Sequence, residues 1–160
     1  MSKDKFMMIY RLSFIIGMAF LMLFSGCGKD DNQREIDAGL IRDYIEANNL
    51  DAQSTESGLH YVIEEPGNNE HPDLSSTVRV IYTGRLLDGF QFDSSGGNVR
   101  EFKLAQLIPG WQEGIPLFGK GGKGILIIPS HLGYGSTIIP GSGIPPNSVL
   151  VFDMELVDFF

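Results

Sequence analysis

A single cysteine, Cys27, excludes any intramolecular disulfide from this 160-residue chain. Its three histidines, His60, His71 and His131, stand in different segments and show no metal-ligand spacing, so no metal site is expected. Basic residues are scarce, 12 Lys+Arg against 20 Asp+Glu for a net charge of −8. Without clustered cations the chain is not expected to take nucleic acid as a partner. There is no HExxH, no nucleophile elbow and no phosphate loop. The Gly-rich stretch from Gly119 to Gly124 lacks the Ser or Thr after its lysine and precedes a strand pattern, so it reads as a tight turn. No cofactor is implied anywhere.

What is present begins with a leader. Lys3, Lys5 and Arg11 precede an almost wholly apolar run, Leu12 to Phe24, closed by the small residues Ser25-Gly26. The run is short for a membrane span and ends in small residues, the form of a secretory signal with its cleavage site. Cys27 directly after Phe24-Ser25-Gly26 resembles the bacterial lipobox, in which the cysteine is lipidated and becomes the first mature residue. That implies a signal peptide over 1–26 and a membrane anchor at Cys27. Residues 27–54 would form a lipidated tether followed by an amphipathic helix. No Asp follows Cys27, so the retention signal of the inner membrane is absent and an outer-membrane lipoprotein is expected. Lys29-Asp30-Asp31 resembles a surface-export signal, and the face of the membrane stays open. Without residues 1–26, which carry Lys3, Asp4, Lys5 and Arg11, the chain keeps 9 basic and 19 acidic groups, a net charge of −10.

Arg34 to Leu50 has helical period, with Ile36, Leu40, Ile41, Tyr44 and Ile45 on one face and Asp37 largely elsewhere. Asn48-Asn49 ends it. The apolar stripe needs a partner, either the following domain or a second copy. From Ser57 the pattern changes to strands. Leu59–Glu65 stops at Pro66-Gly67. Thr77 to Leu87 alternates, Val78, Val80 and Tyr82 against Arg79, Ile81 and Thr83. Asp88-Gly89 predicts a hairpin. Phe90–Phe92, Glu101–Leu104, Lys123–Ile128 and Val149–Val157 complete an α+β domain over residues 55–160.

Leu107-Ile108-Pro109-Gly110-Trp111-Gln112-Glu113-Gly114 holds the sole tryptophan. Pro109 suits the first helical position, which makes Ile108 the N-cap with a free N–H. Gly110 and Gly114 would keep the helix short. Taken alone, Trp111 reads first as an ordinary core residue and second as the floor of a shallow apolar site. The loop from Gly135 to Pro146 offers Ile138-Ile139 as an apolar pair, either for gripping unfolded chain or for packing onto the domain.

Three stretches, "VIYTGRLLDGFQFDSS", "LIPGWQEGIPLFGKGGKGILIIPSHLGYG" and "GIPPNSVLVFDMEL", closely resemble FKBP-type peptidyl-prolyl cis-trans isomerases over about residues 57–158. The resemblance implies a strongly bent antiparallel sheet of about five strands around one short helix. It implies a rotamase that assists folding of exported proteins, with proline-containing polypeptides as clients. Macrolide ligands of the family and a monomeric state are also implied. Tyr82, Phe92, Asp93, Trp111, Tyr134 and Phe152 fall on the family's catalytic pocket positions. Phe102, Leu107, Ile108 and Ile144 fall on its substrate-binding positions. Two residues before Phe102, where the family often carries an apolar or aromatic residue, this chain has Arg100. A non-catalytic binding or chaperone module for proline-containing or unfolded chains is the alternative.

Overall fold

In a computed structural model that describes residues 29–160, Val78, Val80 and Tyr82 are buried while Arg79, Ile81 and Thr83 stay half-exposed. Strand geometry demands that alternation, since successive side chains point to opposite faces. The expected leader and Cys27 lie outside the described residues. Helix α1 spans Lys29–Ala47 and is followed by β1 (Gln53–Ser54), β2 (His60–Glu65), β3 (Thr77–Leu86), β4 (Gln91–Ser94) and β5 (Arg100–Lys103). After a 3-10 turn at Leu104–Gln106 come α2 (Pro109–Gly114), a second 3-10 turn at Ile115–Leu117 and β6 (Lys123–Ile128). A third such turn at Ser130–Leu132 precedes β7 (Leu150–Phe159). No helix of the described residues is long and apolar enough to cross a membrane.

All strand pairs are antiparallel, in the order β1-β2-β6-β7-β3-β4, with β5 also on β3. β4 pairs with Thr83 to Arg85 and β5 with Thr77 to Val80, so the two share one edge of β3 end to end. The sheet thus has five main strand positions, and the two-residue β1 adds a sixth. The chain between β4 and β5 turns at Ser95, whose N–H donates to the Tyr82 carbonyl at 2.9 Å. The Ser95 Oγ accepts from the Tyr82 N–H at 3.2 Å.

One face of the sheet closes on α2. Val78, Val80, Leu104, Ile115, Phe118, Leu126, Ile128, Leu150 and Leu156 are wholly buried there. The glycines of α2 have a different reason from helix length. A Cβ on Gly110 would lie 2.4 Å from Ile128 Cγ2, and one on Gly114 would lie 2.7 Å from Leu126 Cδ1. Glycine at both positions lets the helix backbone lie directly on β6.

The other face takes α1. Ile41 packs with Ile127, Val149 and Val151, flanked by Tyr44, Ile45 and Leu50. The helix therefore packs on its own domain, with Ile41, Tyr44 and Ile45 of the expected stripe but without Ile36 and Leu40. Ile36 and Leu40 are exposed, whereas Asp37 is fully buried. Asp37 lies one turn before Ile41 and so shares its face. Its Oδ2 accepts from the Ser130 N–H at 2.8 Å and from the Ser130 Oγ–H at 2.6 Å, and its Oδ1 accepts from Gln33 Nε2–H at 2.8 Å. A buried carboxylate is tolerated when its lone pairs are taken. The polar residues after Cys27, expected as a tether, are helical from Lys29 onward. At the other end Asn49 adopts φ 51°, and the N–H groups of Asn49 and Leu50 donate to the carbonyls of Glu46 and Ile45. This is the Schellman arrangement, with Asn in the left-handed position.

Gly110→Ala is expected to lower stability by about 1–3 kcal/mol, the usual cost of overpacking a filled core. Gly39→Ala, on α1 with its nearest neighbour at 3.9 Å, serves as the control and gains up to ~1 kcal/mol of helix propensity. Urea midpoints of the two variants test this, and an undiminished midpoint for Gly110→Ala would contradict the close helix–sheet contact.

Candidate active site

Pro109 begins α2 and Ile108 is its N-cap, in extended conformation at φ −60°, ψ 148°. The Ile108 carbonyl accepts the N–H groups of Trp111 and Gln112 at 2.9 and 3.1 Å. Its own N–H has no partner among the described residues, as expected of a donor ahead of the first turn. The entry into the helix is clamped by Gln112, whose Nε2–H donates to the Leu107 carbonyl at 2.7 Å. The free donor is therefore held still.

Trp111 stands on α2 at the base of an aromatic cage. Tyr82 from β3 and Phe152 from β7 meet it edge-on, each with ring centroids 5.1 Å away and planes at 86° and 81°. Phe102 from β5 does the same at 6.1 Å and 85°. Phe92 from β4 meets Phe152 at 5.5 Å and 85°. Edge-to-face contact is the favoured aromatic geometry, because the positive ring edge meets the negative ring face. Gly84 makes room for it, since a Cβ there would lie 2.7 Å from the Phe92 ring and 2.8 Å from Phe152. These rings, with Asp93, Leu107, Ile108 and Tyr134, line an open cavity of about 120 Å³. The Trp111 Nε1–H is buried without a partner among the described residues.

The polar groups gather at one end. The Tyr82 hydroxyl donates to Asp93 Oδ2 at 2.8 Å, and Asp93 Oδ1 accepts the Ser94 N–H at 2.7 Å. Burial, and then the Asp93 carboxylate as hydrogen-bond acceptor and negative charge, push the Tyr82 phenol up to about 12. Burial also raises Tyr134, with a smaller push from Asp93. Both phenols are thus held neutral at physiological pH as donors. The three histidines each bond a backbone carbonyl, of Gly58, Pro116 and Ser57 respectively.

A family model described as FKBP-type peptidyl-prolyl cis-trans isomerase matches residues 68–157. The chain belongs to this family. It is 48% identical over 108 residues to the FKBP-type peptidyl-prolyl cis-trans isomerase FkpA of Escherichia coli (strain K12), covering 66% of this chain and 39% of that protein. A probable FKBP-type isomerase of Haemophilus influenzae is 46% identical over 114 residues, 70% of this chain and 47% of that one. The chain thus spans less than half the length of these relatives. Among solved structures, FkpA from Escherichia coli superposes with a TM-score of 0.69 at 33% identity, over 99% of this chain and 73% of that one. AtFKBP13 superposes with a TM-score of 0.62 at 32% identity, over 68% and 98% of the respective chains.

Nine of the ten expected pocket residues of this FKBP domain meet at the one cavity, brought there from six segments. Ile144 does not line it. Ile144 is buried in the main core, turned inward by a loop in which the Ser142 Oγ–H donates to the Ile139 carbonyl and the same Oγ accepts the Ile144 N–H. The Ile138-Ile139 pair is also split, for Ile138 is exposed and Ile139 half-buried. Sequence reasoning passed over Gly84, Ser95 and Gln112. The signals were there: a glycine two residues after Tyr82 in the same strand, and a side-chain amide just inside a Pro-started helix.

The raised Tyr82 pKa has a sign that can be checked. The native state keeps a proton between about pH 10 and 12 that the unfolded chain loses. The stabilisation is complete below that window and declines as pH rises through it. Asp93→Asn is expected to bring the Tyr82 midpoint down while leaving it above the ordinary 10.0, because burial is the larger cause. Ultraviolet titration of tyrosinate, with Tyr82→Phe to assign the transition, tests this; an unmoved midpoint would remove Asp93 from the coupling.

Proposed function

We propose that residues 55–160 catalyse cis-trans rotation about X-Pro bonds in exported polypeptides. The observation that carries this is the cavity itself: an apolar aromatic cage with a free, clamped backbone donor at Ile108 on its wall. An X-Pro amide resists rotation by ~18–20 kcal/mol because its planar form is resonance-stabilised. At mid-rotation the nitrogen has lost conjugation and the amide is less polar. A dry cage favours that twisted state over the planar one, which water solvates. Trp111 lies beneath the proline ring, with Phe92, Leu107 and Phe152 as walls. The Ile108 N–H and the Tyr134 hydroxyl hold flanking carbonyls. Asp93 orients Tyr82. Catalysis is then tighter binding of the transition state than of the ground state, with each ~1.4 kcal/mol worth tenfold in rate. No group accepts or gives a proton, so the rate has no bell-shaped pH dependence. A macrolide ligand of the family would compete for the same cavity.

The chain acts, in this reading, as a monomeric lipoprotein: residues 1–26 are removed, Cys27 carries the lipid, residues 27–54 link it to the catalytic domain, and the outer membrane is its site. The support is the charged start, the apolar run and Ser25-Gly26-Cys27. One acyl chain anchors only marginally, so several are required. Cys27→Ser is expected to leave the membrane fraction or to accumulate as uncleaved precursor. Unchanged fractionation and mature size would refute the anchor.

The isomerase is tested on refolding of a substrate limited by a cis proline, a phase of ~10–100 s without catalyst. The domain should shorten that phase. Phe92→Ala should lower kcat/KM up to about tenfold while the domain stays folded, in line with ~0.5–1.5 kcal/mol for an edge-to-face aromatic contact. An unchanged slow phase with the wild-type domain would favour the non-catalytic binding or chaperone module.

A further inference from the structure

We propose that Arg100 is a specificity residue that favours proline segments carrying an acidic side chain next to the proline. The inference rests on reading the cavity as a proline site.

In β5, Phe102 contributes a cavity wall, and Arg100 lies two residues before it on the same strand face. The register puts Arg100 opposite Val80, at the end of β5 that lies toward Tyr82 along β3, while the Phe102 ring meets the Tyr82 ring at 6.2 Å. Arg100 lies beyond the lining residues, about 7 Å along the strand from Phe102 by ordinary strand rise. Its side chain is exposed. The Tyr82 phenol feels its positive charge, which opposes the upward push of burial and Asp93.

Most other cations of the sheet are occupied: Arg79 holds Glu101 and Asp158, Arg85 holds Asp153, Lys123 holds Glu65, and Lys120 in the turn before β6 holds Asp158. Lys103 is unpaired among the described residues too, but alternation puts it on the face of β5 opposite to Phe102, at the end that pairs with Thr77. Arg100 has no ion-pair partner among the described residues. Asp93 is already engaged by the Tyr82 hydroxyl and the Ser94 N–H. The chain as a whole is acidic, with a net charge of −8, and would repel an acidic client. A free guanidinium at the mouth reverses that locally for one side chain of the bound segment. Arg also suits the task because its planar fork matches a carboxylate in two hydrogen bonds.

The experiment compares peptides with Glu, Gln or Lys immediately before the proline, and a second set with the same residues immediately after it. At low ionic strength kcat/KM should be about two- to fivefold higher for Glu than for Lys in at least one set, the range of an exposed ion pair. Arg100→Gln should abolish the ratio and Arg100→Glu should invert it. About 1 M salt should erase it, because the screening length falls to ~3 Å. A wild-type ratio of one in both sets, or a ratio that survives Arg100→Gln, overturns the proposal and leaves the isomerase reading intact. If the wild-type protein turns over none of the Gln peptides, the isomerase reading fails instead. The same Glu-to-Lys comparison is then read as binding, through Trp111 fluorescence, and absence of binding overturns the selector as well.

Discussion

The contact of α2 with β6 governs the rest of the domain. Two missing side chains, at Gly110 and Gly114, let the helix backbone rest on Ile128 and Leu126. That spacing sets how deep Trp111 sits, and Trp111 is the surface on which Tyr82, Phe102 and Phe152 converge. A helix lifted by one methyl group would raise the tryptophan into the cavity that the other rings enclose. Interiors are packed too densely to absorb such a shift for nothing. The same helix start also presents the Ile108 N–H, so the apolar floor and the polar donor move as one rigid piece.

The cage works without reorganisation. Its rings touch edge-to-face and fix one another, and the Tyr82 hydroxyl is held by Asp93, whose other oxygen takes the Ser94 N–H. The cage offers a fixed shape and a mostly apolar lining. For the isomerase proposed above, preorganised surroundings of that kind suit a reaction in which no bond to a proton or metal changes.

The N-terminal helix is tied to this machinery by one buried carboxylate. Asp37 holds Ser130, and the Ser130 carbonyl in turn accepts the N–H groups of Gly133 and Gly135, on either side of Tyr134. The helix thus packs on the sheet and braces the start of the loop that brings Tyr134 to the cavity. Ile36 and Leu40 remain exposed on its flank because the bond of Asp37 to Ser130 turns the helix so that Asp37 and Ile41 face inward.

Local order was legible in the residues. The alternation from Thr77 onward, the Asp88-Gly89 turn, the Pro109 start and the Asn48-Asn49 stop each depend on backbone preferences within a few positions. The three stretches that resemble the family hold eight of the nine wall residues, all but Phe102, in an order and spacing that match one family. Tertiary structure alone decided the remainder. It turned Ile144 into the core, buried Asp37 while exposing Leu40, set β4 and β5 on a single edge of β3 and gave the α2 glycines a packing role. None of these has a local signature, since each depends on an atom from a segment far along the chain. Periodicity states that a residue has a face; only the closed sheet states what lies against it.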